Sequence, residues 1–206
     1  MAHDMGIPGY AEPNNYNYIA FAFWLTTGPA DIALLWSDPI TYFGTEFGST
    51  KDQAQTFLKQ KFVDAGVKLL VSAFGSTNNP TSENADPTQT AKDLADFVKN
   101  NKFDGVDIDY EDNAAMEGSG GVPWLVTFTT VLRAELPGYI LTHAPQAPYF
   151  KTESYPHRGY VGIEEQIGSL IDFYNVQFYN QGDTSYDTEV KLFTQSGGYF
   201  AGTSVK

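Results

Sequence analysis

Five acidic side chains fall within ten residues, Phe103-Asp104-Gly105-Val106-Asp107-Ile108-Asp109-Tyr110-Glu111-Asp112. The apolar residues between them alternate as a β-strand requires, and strand side chains alternate between two faces. Asp107, Asp109 and Glu111 then share one face, with Val106, Ile108 and Tyr110 on the other. Neighbouring carboxylates on that face stand roughly 6–7 Å apart along the strand. Three acids in a largely buried strand do not all ionise cheaply near neutrality, so a proton is shared or a pKa is raised. A carboxylic acid kept protonated near neutral pH is what general-acid catalysis needs. Glu111, at the C-terminal end of the strand, sits where β/α enzymes place their chemistry. Clustered carboxylates also suit magnesium or calcium. The EF-hand template fails, because it needs glycine where Asp112 stands and glutamate where Gly118 stands. No metal and no cofactor is assigned.

The elements that must hold this row follow a regular order. Residues 18–24 form a continuous apolar run, too short for an ordinary helix, and read as a strand buried on both faces. Residues 50–65 carry Ala54, Phe57, Leu58 and Phe62 at helical spacing behind a Thr50/Gln53 capping box, with Gly66 as the stop. Residues 67–74 are the next strand. Asp86-Pro87-Thr88-Gln89 opens a helix whose apolar stripe is Ala91, Leu94, Ala95 and Val98. The acidic strand follows at 103–110, a helix at 122–135, a strand at 139–144, a short helix at 163–170 and a strand at 171–178. A last helix is predicted over 184–195. Strand starts near 67, 103, 139 and 171 recur at the length of a β-α repeat, and repeated right-handed crossovers build a parallel sheet. The spacing alone fits a doubly wound sheet or a (β/α)₈ barrel. No linker or second domain is evident, so residues 1–206 read as one domain.

Composition removes several function classes. The chain has 206 residues, 12 basic and 25 acidic side chains and a formal net charge of −13. Only Arg133 and Arg158 are arginines, and no basic stripe exists to neutralise phosphates, which argues against nucleic acid as a partner. With no cysteine there is no disulfide scaffold, thiolate nucleophile or zinc-thiolate site. No apolar run approaches the roughly 20 residues that span a bilayer, so no membrane partner is expected. The start, MAHDMGIPGY, lacks the apolar core of a signal peptide. Aromatic residues reach 15%, which suits both half-buried strands and sugar-binding clefts.

Asp104-Gly105-Val106-Asp107-Ile108-Asp109-Tyr110-Glu111 resembles the signature of glycoside hydrolase family 18, the chitinases and their relatives, at every fixed position of Asp-Gly-x-Asp-x-Asp-x-Glu. Residues 71–75 resemble the family's strand-three Ser-x-Gly-Gly, with Phe74 in place of a glycine. Residues 141–148 and Val176-Gln177-Phe178-Tyr179-Asn180 resemble strands five and six of the plant and fungal class III enzymes. The resemblance covers about residues 17–200 and implies an α/β fold of the (β/α)₈ TIM-barrel type. Strands equivalent to two through six are recognisable, and strands one, seven and eight are missing or displaced. None of Trp24, Trp36 and Trp124 is placed to be the family's strand-eight tryptophan. An open sheet implies self-association through its edges.

The implied activity is retaining hydrolysis of chitin or other N-acetylglucosamine oligosaccharides, in which the substrate's own acetamido group is the nucleophile. By resemblance Glu111 is the acid, Asp109 binds the acetamido N–H, Asp107 shares a proton with Asp109, and Tyr179 donates to the acetamido oxygen. Gln177, Asn180, Gln146, Gly75, Phe74 and Tyr149 are the implied substrate contacts. Cleavage of N-glycan cores uses the same residues, and a non-catalytic carbohydrate-binding or storage relative keeps the same fold. Family habit implies secretion. An acidic pH optimum follows from the carboxylate row.

Overall fold

The computed structural model describes residues 16–180. The helix predicted over 184–195 lies outside them. Among the described residues six strands form one sheet: β1 (Tyr18–Leu25), β2 (Gly28–Pro29), β3 (Lys68–Phe74), β4 (Gly105–Asp109), β5 (Ile140–His143) and β6 (Phe173–Tyr174). Their order is β2-β1-β3-β4-β5-β6. β2 is a short antiparallel return on β1, and the other five run parallel in chain order. Tyr18 at the start of β1 and Phe173 on β6 bring their rings to 5.1 Å although four strands' spacings separate them in the sheet. The array therefore curls on itself. The described residues form part of a TIM barrel, with an inner face across which the ends of the sheet meet and an outer face covered by helices.

The helices obey the local chemistry of their ends. In α3 (Lys51–Asp64) Thr50 accepts from Gln53 N, while the Gln53 side chain reaches Ser49 N and Oγ rather than Thr50. In α4 (Pro87–Asn100) Asp86 accepts from Gln89 N at 2.7 Å with Pro87 in the first turn. α6 (Gly121–Glu135) lays Trp124, Leu125, Phe128 and Leu132 on the sheet. α7 (Gly159–Ile167) begins four residues before the predicted 163 and continues into a 3-10 turn at Gly168–Leu170. Between the first strand and residue 50 lies a span in which the sequence pattern predicts no element. It holds α1 (Asp31–Ser37) and α2 (Pro39–Phe43), whose Trp36 is fully buried and donates its indole N–H to Asn101 O. A further short helix, α5 (Asn113–Glu117), follows the acidic strand.

The strand predicted over 171–178 is shorter. Regular pairing with β5 ends at Tyr174; beyond it Asn175 N donates to His143 O and Gln177 N to Pro145 O before the bridge Gln146–Gln177. Pro145 lies between, and a proline offers no N–H to a ladder. Two aspartates that precede strands tie neighbouring strands together: Asp104 accepts from Leu69 N and pairs with Lys59, and Asp172 accepts from Leu141 N and pairs with Arg133. Gly105 is required by its neighbours, since a Cβ there would lie 2.1 Å from Ile140 O. Among the described residues no helix is long and apolar enough to cross a membrane.

Candidate active site

The two faces of β4 divide as alternation predicts. Val106, Ile108 and Tyr110 are fully buried in the helical layer. Asp107, Asp109 and Glu111 face the inner side of the curl, and the partners on adjacent strands are polar. Asp107 stands opposite Ser72 of β3 and Thr142 of β5. Thr142 Oγ1 donates to Asp107 Oδ1 at 2.5 Å and Asn175 Nδ2 donates to the same oxygen at 3.0 Å. Gln177 Nε2 donates to Asp109 Oδ1 at 2.6 Å and to Ala144 O at 2.9 Å. A carbonyl only accepts, so the nitrogen end of the Gln177 amide is fixed toward Asp109. Gln146 Nε2 donates to Glu111 Oε2 at 3.0 Å. Each acid of the row thus has an uncharged donor from β5, β6 or the segments that follow them.

Burial acts on this row as the sequence implied. It holds the Asp107 carboxyl above the usual range, against the hydrogen bonds from Thr142, Asn175 and Ser72 that pull it down. Asp109 is pushed up to about 7, first by burial and then by the charges of Glu111 and Asp107, with the Gln177 hydrogen bond opposing. A proton is therefore retained on the middle of the row near neutral pH. Tyr179 is 60% exposed at the rim. Its phenol is held above the usual range by partial burial and by the charges of Asp109 and Glu111. Asn180 follows it, exposed, with φ of 60°.

Two residues predicted to contact substrate do not line the cleft. Phe74 is a correction: it is fully buried, 5.5 Å from Phe128 and 5.8 Å from Trp124 by ring centroids. Its φ of +81° breaks the alternation and swings the ring to the helical side. Tyr149 is the second correction. Its ring is buried against Tyr155 and Tyr160, and its hydroxyl donates to Asn113 Oδ1 at 2.7 Å. Gly75 stays at the sheet end, but its N–H is used by Asp109 O and a Cβ there would meet the Phe23 ring at 2.8 Å. Trp24 is buried against Phe74.

The wall beside Glu111 is not predicted from the sequence. A cavity of about 350 Å³ opens there, with Ser76, Asn79, Ser82 and Glu83 from the β3–α4 loop and Asn113 from α5 around it. No local pattern marks those loop residues. Among the described residues no group of His, Asp and Glu side chains is arranged to hold a metal ion.

The family model described as Glycosyl hydrolases family 18 matches residues 3–204. A GH18 chitinase from Pseudoalteromonas aurantia is 35% identical with a TM-score of 0.62, over 82% of this chain and 62% of that one. A putative Chitinase A from Streptomyces coelicolor is 23% identical with a TM-score of 0.57, over 87% of this chain and 56% of that one. A xylanase and alpha-amylase inhibitor protein from Scadoxus multiflorus is 21% identical with a TM-score of 0.52, over 85% and 61%. The last two likenesses bear on the fold alone. This chain spans less than two thirds of each of the three.

Proposed function

The chain belongs to glycosyl hydrolases family 18, and from that premise we propose that it hydrolyses β-1,4-linked N-acetylglucosamine polymers, chitin or chitooligosaccharides, with retention of configuration. The observation that carries the reading is the row Asp107, Asp109, Glu111 on one face of β4, with Asp109 pushed up to about 7 at its centre. Glu111 gives its proton to the glycosidic oxygen as the C1–O bond breaks. The acetamido carbonyl oxygen of the same sugar forms the new bond to C1, giving an oxazolinium. Asp109 accepts the acetamido N–H and offsets the developing positive charge, while Asp107 shares a proton with it. Tyr179 donates to the acetamido oxygen from the rim. Glu111, now a carboxylate, takes a proton from the water that attacks C1 and restores the acetamido group. Gln146 and Gln177 fit the role of holding Glu111 and Asp109 as much as that of touching sugar, because their amide nitrogens already donate to those acids.

Product release from chitohexaose, read by mass spectrometry for wild type and Glu111→Gln together, tests the reading. Shorter oligomers from the wild type alone are expected. No product from either protein, with chitooligosaccharide still bound, would replace the hydrolase by a binding protein on the same fold.

A further inference from the structure

Glu111 is flanked in sequence by two residues that both reach the same loop. Before it, the hydroxyl of Tyr110 lies 2.7 Å from Thr81 Oγ1. After it, Asp112 accepts from Ser82 N at 2.7 Å and from Ser82 Oγ at 2.6 Å. Thr81 and Ser82 are consecutive residues of the β3–α4 loop, so neighbouring loop residues grip the chain on either side of the acid. Asp112 is 1% exposed and also accepts from Ala115 N at the start of α5. Glu111 O accepts from Asn113 N in the tight turn that follows. The loop is itself fixed at its far end. Asn78, 4% exposed, accepts from Thr26 N and donates to Thr26 Oγ1 and to Glu83 Oε2, each at 2.9 Å.

We propose that Asp112 and Ser82, with Thr81 and Tyr110, form a two-point clamp that positions the Glu111 carboxyl for proton donation. The inference rests on the reading of Glu111 as the acid. The chemistry of Asp112 differs from that of the acids in the row. Three donors converge on its two oxygens, and it lies outside the alternation that aims Asp107, Asp109 and Glu111 at the inner face. Its carboxylate fastens a backbone. On the other flank, among the described residues, the Glu111 carboxylate is anchored by the Gln146 amide. With the clamp loosened, the carboxyl would swing on that hydrogen bond. A misplacement of about 1 Å costs a reaction up to roughly 10²-fold.

The test separates acid placement from general damage by leaving-group demand. A poor leaving group needs the proton, and an activated phenol leaves without it. Ser82→Ala and Asp112→Asn in the full chain are to be assayed on chitotetraose and on the dinitrophenyl glycoside of chitobiose, with thermal melting recorded for each. Ser82 is exposed and Ser82→Ala keeps the backbone N–H on Asp112, so it keeps the test open should Asp112→Asn fold poorly. The expected result is a kcat/KM on chitotetraose lower by about 10-fold and a kcat/KM on the dinitrophenyl glycoside within about 2-fold of wild type, because kcat/KM reports departure of the leaving group and not the later water attack that Glu111 also assists. Ser82→Thr, which keeps hydroxyl and N–H, restores the wild-type ratio. Equal losses on both substrates, or no loss on either, would overturn the clamp while leaving Glu111 as the acid. A wild type that turns over neither substrate would overturn the hydrolase reading itself and the clamp's role with it.

Discussion

β4 presents two buried faces that solve burial in opposite ways. On the helical face Val106, Ile108 and Tyr110 pack with Phe74, Trp124 and Phe128, and the buried imidazole of His143 is matched atom for atom. Its Nε2 meets Thr129 Oγ1 at 3.2 Å and its Nδ1 meets the Tyr160 hydroxyl at 3.0 Å. On the inner face three acids stand in a row, and neutral donors from Thr142, Asn175, Gln177 and Gln146 satisfy oxygens without supplying a counter-charge. The helical face satisfies its polar groups and stabilises the fold. The inner face holds like charges together at a cost in stability, and that tension retains a proton on Asp109 near neutral pH.

The largest expected effects cross the two faces. Glu111→Gln should lower turnover of chitooligosaccharide by about 10³-fold and leave the melting temperature within a degree or two of wild type. Phe74→Ala should cost about 3–5 kcal/mol of unfolding free energy and leave the KM of the folded fraction unchanged. Urea titration and steady-state kinetics on both variants decide it. If Phe74→Ala raised KM at unchanged stability, Phe74 would return to the cleft and the division between faces would fail.

Phe74 also marks the boundary of what the sequence carries. Alternation is a local rule, and it ordered Asp107, Asp109 and Glu111 against Val106, Ile108 and Tyr110. The caps at Thr50 and Asp86 are equally local. A left-handed φ at a phenylalanine is dictated by the aromatic cluster that Trp124 and Phe128 form from another element, so no neighbour in sequence announces it. The same holds for the grip of Thr81 and Ser82 on the Glu111 segment, which joins residues about 30 apart. α1 and α2, at seven and five residues, are too short to show a helical stripe. They are held by tertiary contacts such as that of Trp36. The inner-face chemistry was legible because one strand carries it. Its supports come from β3, β5, β6 and the segments after them, and alternation along β4 does not announce them.

Asp109→Asn sharpens the comparison within the inner face. Turnover should fall by about 10²-fold, since the acetamido group loses its charged partner. Stability should move the other way. Asp109 has a folded pKa near 7, above the unfolded carboxylate value of 3.8. Its stabilising contribution is complete below pH 4 and is lost as pH rises through 7. The variant lacks that loss, so its stability relative to wild type should grow between pH 4 and pH 8. The gain is on the order of 2 kcal/mol after allowing for partial exposure and for sharing of the proton with Glu111 and Asp107. Urea unfolding at the two pH values measures it, and a relative stability independent of pH would show that the row ionises freely.

The smallest effect probes the opposite face with the opposite sign. Full burial pushes the His143 pKa down to about 3 from 6.5, so the ring is neutral in the folded chain. The unfolded chain binds a proton on it below pH 6.5 and the folded chain does not. Stability from this group is complete above pH 6.5 and is lost progressively as pH falls toward 3. At pH 5 the loss is about 1–2 kcal/mol. His143→Gln keeps a polar side chain between Thr129 and Tyr160 but has nothing to protonate. It should be less stable than wild type at pH 7 and close part of that gap at pH 5. The two faces then titrate against each other, the carboxylate row favouring acid and the histidine opposing it. An unchanged gap at pH 5 would mean that His143 already accepts a proton in the folded state, and the helical face would no longer be the neutral partner of the inner one.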